Sequence, residues 1–429
     1  MLGLNYPPES TSIGPYTAGI AEELASRGHE VRVVSAVPTA PGWSVWPGYK
    51  KVVCRDEVIR GIPVTRTWVY VPRNPRRTIE RVLFDSSFGL ASLLAALFDR
   101  PADLIVAVSP PLQLAVTGWL IARLRGASFF LHIQDLVPDA AVATGALRER
   151  SHLLGLARRL ERFAYRRALG IGVISDGFRQ NLIGKGVSEG KIAVLPNFID
   201  LKAIAPGFRD GPFRAELGIG SRDLVVMYSG SIGPKQGLEV LVEAAVILRK
   251  EPNLRFIIIG DGPSKTELME RARRVNATSI MFLPLQPVEK LADQLSAADL
   301  LVLTQKATVR DIVFPSKLLS YMAAGRPTIA AANVESEVGR FITREGVGLV
   351  TQAEDPTALV GAIRELMPED ARRAIGSRAR QVVETHFDRR AVLPRFAQHL
   401  EGLVPARTKP TVDAPSTAYP RPRFSGDEP

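Results

Sequence analysis

The chain has 429 residues, 46% of them hydrophobic, and a formal charge of +11 from 55 Lys and Arg against 44 Asp and Glu. That length suits two or three domains with sizeable cores, and a lone cysteine, Cys54, excludes an internal disulfide framework and fits a reducing compartment. Cys54 itself reads as a small buried hydrophobe. The turn-rich NYPPES follows Met1 within a few residues, so no signal peptide is read, and no apolar run reaches membrane-spanning length. A cytoplasmic protein is expected, soluble or peripheral on the inner face of the membrane.

In chain order, NYPPESTSIGPYTAGIAEELASRGHEV reads as a glycine-containing turn at Gly14 before an amphipathic helix that Gly28 closes. Apolar runs then alternate with helical patterns, and HEVRVVSA, ADLIVAVS, SFFLHIQD, ALGIGVIS and KIAVLPN are the expected strands. Arginines cluster between them. Arg73, Arg76, Arg77 and Arg81 precede the apolar stretch Val82 to Phe98, and Arg148, Arg150, Arg158, Arg159, Arg162, Arg166 and Arg167 punctuate a later helical stretch. A basic flank beside apolar helix surface suits an anionic membrane face. Nucleic acid is not an expected partner, because no zinc finger, recognition helix or aromatic-basic RNA motif is present.

The segment IDLKAIAPGFRDGPFRAELGIGS, rich in Gly, Pro and charge, reads as a linker. Beyond it DLVVMYSG, LRFIIIGDG, SIMFLPL, DLLVLTQ, PTIAAA and VGLVT are the expected strands. The pattern is α/β. It predicts two Rossmann-like, doubly wound domains, 1–198 and 223–385, joined by 199–222, with a crossover helix at 386–403 returning to the first domain and a disordered tail at 404–429. Ligands are expected at the strands' carboxyl ends, facing the cleft between the domains.

The chemistry concentrates in DIVFPSKLLSYMAAGRP, residues 311–327. Pro315 opens a helix there, Gly325 ends it and Pro327 prevents its continuation. Its N-terminus, carrying Ser316 and Lys317, offers amides, a hydroxyl and an ammonium to an anion such as a diphosphate. The loop SGSIGPKQG adds Gly230, Gly233 and Gly237 for close approach, with Lys235 and Gln236 as donors, and IIIGDGPSK adds Gly260 and Gly262. None of these matches a Walker or dinucleotide fingerprint. Together they favour a nucleoside diphosphate in the second domain.

Taken in order, NYPPESTSIGPYTAGIAEELASRGHEVRVVSAVPTAPGW, LHIQDLVPDAA, LPNFID, YSGSIGPKQGLEVLVEAA, IIGDGP and DIVFPSKLLSYMAAGRP resemble the group 1 glycosyltransferases of GT-B fold, most of all the colanic-acid and exopolysaccharide type. The resemblance covers roughly residues 4 to 385. It implies a nucleoside-diphosphate sugar in the second domain, as substrate and not cofactor, and a saccharide or polyprenyl-diphosphate-linked acceptor in the first. The product would enter exopolysaccharide, O-antigen or capsule, with anomeric configuration retained. Gly14, Gly230, Gly260, Pro315 and Ser316 would line the donor phosphates.

Departures from the family pattern are specific. Ser231 stands where relatives carry an arginine, Lys235 and Gln236 share the place of a lysine, and Lys317 is the cation expected to compensate. Of the two acids that relatives place seven residues apart, Asp311 matches the first, while Ser320 occupies the second position and makes no charge-assisted hydrogen bonds. His132, at the end of FFLHIQD, reads either as a core histidine paired with Asp135 or as a cleft residue steadying charge on the leaving phosphate. Asp135 and Asp139 would orient acceptor hydroxyls, act as a base, or cap the next helix. No Asp-x-Asp pair occurs, so Lys235, Lys317 and the helix start are expected to replace a divalent cation. Only Met1 to Leu4 precede NYPPES, so a short first strand or a start further upstream is expected. Two other readings stay open, a sugar-nucleotide 2-epimerase of the same fold and a non-catalytic membrane-surface scaffold.

Overall fold

The computed structural model describes residues 1–9, 13–40, 42–75, 77–143, 145, 151–308 and 315–404. Asp311, Arg76, Arg148, Arg150 and the tail from residue 405 lie outside them.

The first unit is built on β1 (Val33–Ala36), β2 (Cys54–Ile59), β3 (Ile62–Thr67), β4 (Leu104–Ser109), β5 (Ser128–Ile133), β6 (Gly170–Val173) and β7 (Ile192–Val194). They run β2-β3-β1 and β4-β5-β6-β7, and the start of the chain joins the two ladders. Leu2 bridges Val34 on one side and Ala107 on the other. Its amide donates to the Val106 carbonyl at 2.8 Å, and its carbonyl accepts from Val108 at 2.9 Å. Met1–Leu4 therefore serves as a short central strand whose ladder groups are paired.

β2 and β3 form an antiparallel hairpin that the periodic reading missed. Its turn is Arg60 and Gly61, both left-handed at φ 50° and 82°, the geometry of a tight hairpin. Cys54, expected inside, is exposed on this edge strand. The strand is charged and mostly exposed, so its first residue stays at the surface.

The second unit is a six-stranded parallel sheet: β8 (Leu224–Ser229), β9 (Leu254–Ile259), β10 (Ile280–Leu283), β11 (Leu300–Thr304), β12 (Thr328–Ala331) and β13 (Gly348–Thr351). The order β10-β9-β8-β11-β12-β13 reverses direction between β8 and β11. Loops leaving these two strands part at that point and open a crevice. β11 and β12 are buried throughout and β8 along its middle four residues, as a sheet covered by helices on both faces requires.

Residues 199–222 are not a free linker. Leu201, Ile204 and Phe213 are buried in the second unit's core. Arg214, 1% exposed, donates to Asp299 at 2.5 Å and to the Ala297 carbonyl at 2.8 Å. The Gly, Pro and charge that look like linker composition surround an internal ion pair. At the far end, the Arg389–Leu403 helix returns to the first unit, packing Leu393, Phe396 and Leu400 with Ile20, Leu24, Val106 and Phe130. Backbone bonds between Ile199 and both Phe387 and Arg389 tie the two connecting segments together.

Candidate active site

Two glycine loops form the floor of the second unit's crevice. The Gly230 amide donates to the Ile259 carbonyl at 2.9 Å and Ile232 to Asp261 at 2.8 Å, so the loops after β8 and β9 pack backbone against backbone. Gly260 adopts φ 150°, and a Cβ there would lie 1.9 Å from the Gly230 carbonyl oxygen. Only glycine fits.

The Ser316–Ala323 helix starts beside this floor, after an extended Pro315. Lys317 reaches back from it: its Nζ donates to the Tyr228 hydroxyl at 2.5 Å and sits 4.0 Å from that ring's centre. A Cβ on Gly230 would come within 2.9 Å of the same nitrogen, so the ammonium lies directly against the first loop glycine. Burial pushes Lys317 down to about 7. Tyr321, one turn further, accepts from the Ser229 amide and donates to its carbonyl, both at 3.0 Å. Burial raises both tyrosines above the ordinary range, Tyr321 adding to the rise at Tyr228. Neutral donors and a cation are thus concentrated where strand, loop and helix meet. This is chemistry for an anion.

Lys235 and Gln236 lie in the β8 loop. Gln236 accepts from the Gly233 amide at 3.1 Å, so its carbonyl braces the loop. The Lys235 carbonyl accepts from Lys306 at 2.9 Å, and its side-chain charge acts on Asp135 of the first unit. Ser231 is exposed, its carbonyl accepting from the Tyr228 hydroxyl at 2.6 Å. Ser320 is partly buried on the Lys317 helix.

Across the crevice, Asp135 follows β5. Burial raises its carboxyl, against the lowering pull of Lys235, the Leu136 amide and Arg81, and its buried Oδ1 has no hydrogen-bond partner among the described residues. Asp139 is engaged differently, accepting from Lys185 at 2.6 Å and Asn181 at 3.2 Å. His132 is buried at the end of β5. Its ring meets Phe396 edge-on at 5.0 Å, Nε2 lies 2.8 Å from the Gln134 amide nitrogen, and burial lowers it to about 4. It is a neutral imidazole packed in the first unit, partnered by Gln134 and not by Asp135. Gly14 begins the first helix, where a Cβ would crowd the Glu9 carbonyl and Tyr6 amide at 3.3 Å.

The structure thus gathers Gly230, Lys235, Gln236, Gly260, Ser316 and Lys317 on one side and Asp135 opposite. It also shows residues that sequence reading did not single out. Tyr16 of the first unit hydrogen-bonds Ser316 across the cleft. Glu337 of the second unit accepts from Ser175 Oγ at 2.7 Å and the Gly177 amide at 3.0 Å, capping a helix in the first. Beside it a cavity of about 790 Å³ is lined from both units, by Ser175, Asn197, Leu319, Arg340 and His386 among others. Glu9, 2% exposed, accepts from the Thr39 and Ala40 amides, each at 2.7 Å, and so fixes the first loop to its neighbour. The glutamate in NYPPES was a visible signal for that role. Nothing local marks Tyr16 or Glu337.

Residues 11–197 match the family described as glycosyl transferase 4-like domain, and residues 211–382 match glycosyl transferases group 1. The WcaI protein of Escherichia coli, named for glycosyl transfer in colanic acid biosynthesis, is 33% identical over 93% of this chain and 98% of its own. Among solved structures, sucrose-phosphate synthase from Thermosynechococcus elongatus superposes with a TM-score of 0.72 at 20% identity, over 94% of this chain and 98% of its own. Anabaena HepE in complex with UDP-glucose does so with a TM-score of 0.67 at 18% identity, over 94% and 98%. Paired sheets around a phosphate-ready crevice and a relative alike over nearly its whole length lead to one conclusion: this chain belongs to the group 1 glycosyltransferases and is a glycosyltransferase of GT-B fold.

Proposed function

We propose that the chain moves a sugar from a nucleoside-diphosphate sugar to a saccharide or polyprenyl-diphosphate-linked acceptor in exopolysaccharide, O-antigen or capsule assembly. The observation that carries this reading is Lys317 packed against Gly230 at a helix start. Supporting it, HepE is described with UDP-glucose bound, and WcaI is named for a polysaccharide pathway.

The diphosphate lies across the Gly230 and Gly260 loops, with Lys317 and the amides at Ser316 and Lys317 neutralising charge as the sugar–phosphate bond breaks. Lys235 adds a second cation from the loop edge. These groups do the work of a divalent cation, so transfer proceeds without added metal. Asp135, whose buried Oδ1 has no hydrogen-bond partner among the described residues, accepts a hydrogen bond from the attacking acceptor hydroxyl, and configuration is retained. Closure of the cleft through Tyr16–Ser316 keeps water from the activated sugar. The enzyme works in the cytoplasm, at the inner face of the membrane.

Calorimetry with UDP-, GDP-, ADP- and dTDP-sugars in the presence of chelator tests this. One class is expected to bind the wild type and to bind Lys317→Ala about 10²–10³-fold more weakly. Binding that requires Mg²⁺ or Mn²⁺ refutes the metal-free part. Equal binding by Lys317→Ala refutes the site.

A further inference from the structure

The Thr78–Leu97 helix buries Phe84, Phe88, Ser92 and Ala96 and turns Ile79, Leu83, Leu90 and Leu94 to solvent. With Phe98 just past its end, these five apolar residues are 51–90% exposed. Their spacing of four, seven, four and four keeps them on one line of a helix about 30 Å long. The Leu114–Arg125 helix packs beside it, and the His152–Arg167 helix packs beside that one. They add exposed Leu124 and Leu156. An apolar patch of this extent on a water-facing surface calls for an occupant.

Charge identifies the occupant. Between residues 73 and 98 the exposed described positions other than the apolar ones are Arg73, Asn74, Arg77, Arg81 and Ser86. The acids of that stretch turn inward, Glu80 accepting from the Asn74 amide at 2.9 Å and Asp85 partly buried. The Leu114–Arg125 helix contains no acid. In the third helix Glu161 is buried against Tyr165 and Lys185, while Arg158, Arg159, Arg162 and Arg166 are exposed. Three neighbouring helices thus expose leucines and arginines and no carboxylate. A second copy of the chain would set these arginine rims against each other. An anionic bilayer takes leucine and phenylalanine into its acyl boundary and guanidinium at its headgroups.

We propose that this three-helix face docks the protein on an anionic lipid bilayer. Arg81, at the stripe's N-terminal end, lies 5.5 Å from the Trp43 ring and its charge acts on Asp135. A docked stripe therefore leads from the membrane to the acceptor side of the site. That last step rests on the lipid-linked acceptor proposed above; the docking does not.

The test is co-sedimentation of the full chain with vesicles of phosphatidylcholine alone or with phosphatidylglycerol. Wild type is expected to partition at least about tenfold better onto the anionic vesicles, and Leu90→Ser with Leu94→Ser to lose about tenfold or more. Arg158→Gln with Arg159→Gln should lose several-fold. Circular dichroism monitors folding, and if the first pair unfolds, Ile79→Ser with Leu83→Ser carries the same comparison. The proposal fails if the stripe variants partition like wild type, if wild type binds neither vesicle, or if the variants only dissociate a dimer. Sugar-nucleotide calorimetry on the same preparations separates the two readings. Donor binding is expected to be unchanged in the stripe variants, and its absence from wild type would sink the transferase reading while leaving docking in place.

Discussion

The two units share a winding but build their cleft walls from different materials. In the second, the wall is mostly backbone: two glycine loops pressed together, with Lys317, Tyr228 and Tyr321 locking one helix start over them. In the first, buried side chains hold the loops. Glu9 ties two of them, and Arg66, fully buried, donates to Glu57 at 2.6 Å, to the Ala36 carbonyl at 3.1 Å and to the Pro7 carbonyl. A backbone wall suits a group that every donor has in common, a diphosphate. A side-chain wall can be rewritten residue by residue, which fits the proposal that the first unit chooses the acceptor.

The sharpest way to break that contrast is at a glycine on each side. Gly260→Ala puts a Cβ on the Gly230 carbonyl at a φ of 150°, so about 3 kcal/mol or more of stability and all donor binding should be lost. Gly28→Ala in the first unit, at φ 90° with open space around it, should cost only about 1–2 kcal/mol in chemical denaturation and spare donor binding. Comparable losses at both would remove the distinction.

A smaller effect comes from pH. Burial depresses Lys317 to about 7 in the empty site, so its charged form is disfavoured there and is recovered as pH falls. A bound diphosphate needs the ammonium. Donor affinity should therefore be level below pH 7 and weaken about tenfold per unit above it, with proton uptake on binding. Tyr228 and Tyr321, which face Lys317, are pushed up and stay neutral over that range. Calorimetry from pH 6 to 9 in buffers of different ionisation enthalpy measures both quantities; an affinity independent of pH would contradict this assignment.

The smallest change concerns the contact between the units. Glu337→Gln keeps the shape but removes the charge that Ser175 and Gly177 donate to. A loss of about 1 kcal/mol is expected, read as roughly a fivefold rise in the acceptor's KM with donor Kd unchanged. If donor Kd shifts instead, Glu337 acts within the second unit alone.

Much of the architecture could be read from local pattern. Each expected strand has a counterpart, because β-branched runs bounded by Gly and Pro report burial and turning within a few residues. The glycine loops and the Pro315–Gly325 helix were legible for the same reason. The β2–β3 hairpin was missed because its exposed face carries charge, although the Arg60–Gly61 turn was there to be seen.

What only the tertiary structure decided are partnerships between residues far apart in the chain. Arg214 and Asp299 turn an apparent linker into core, Tyr16 meets Ser316, and Glu337 meets Ser175. His132 packs against Phe396 from a returning helix. Periodicity records which side of an element is buried but not what is buried against it. Those pairings arise from packing whole elements together, and no stretch of sequence carries that information by itself.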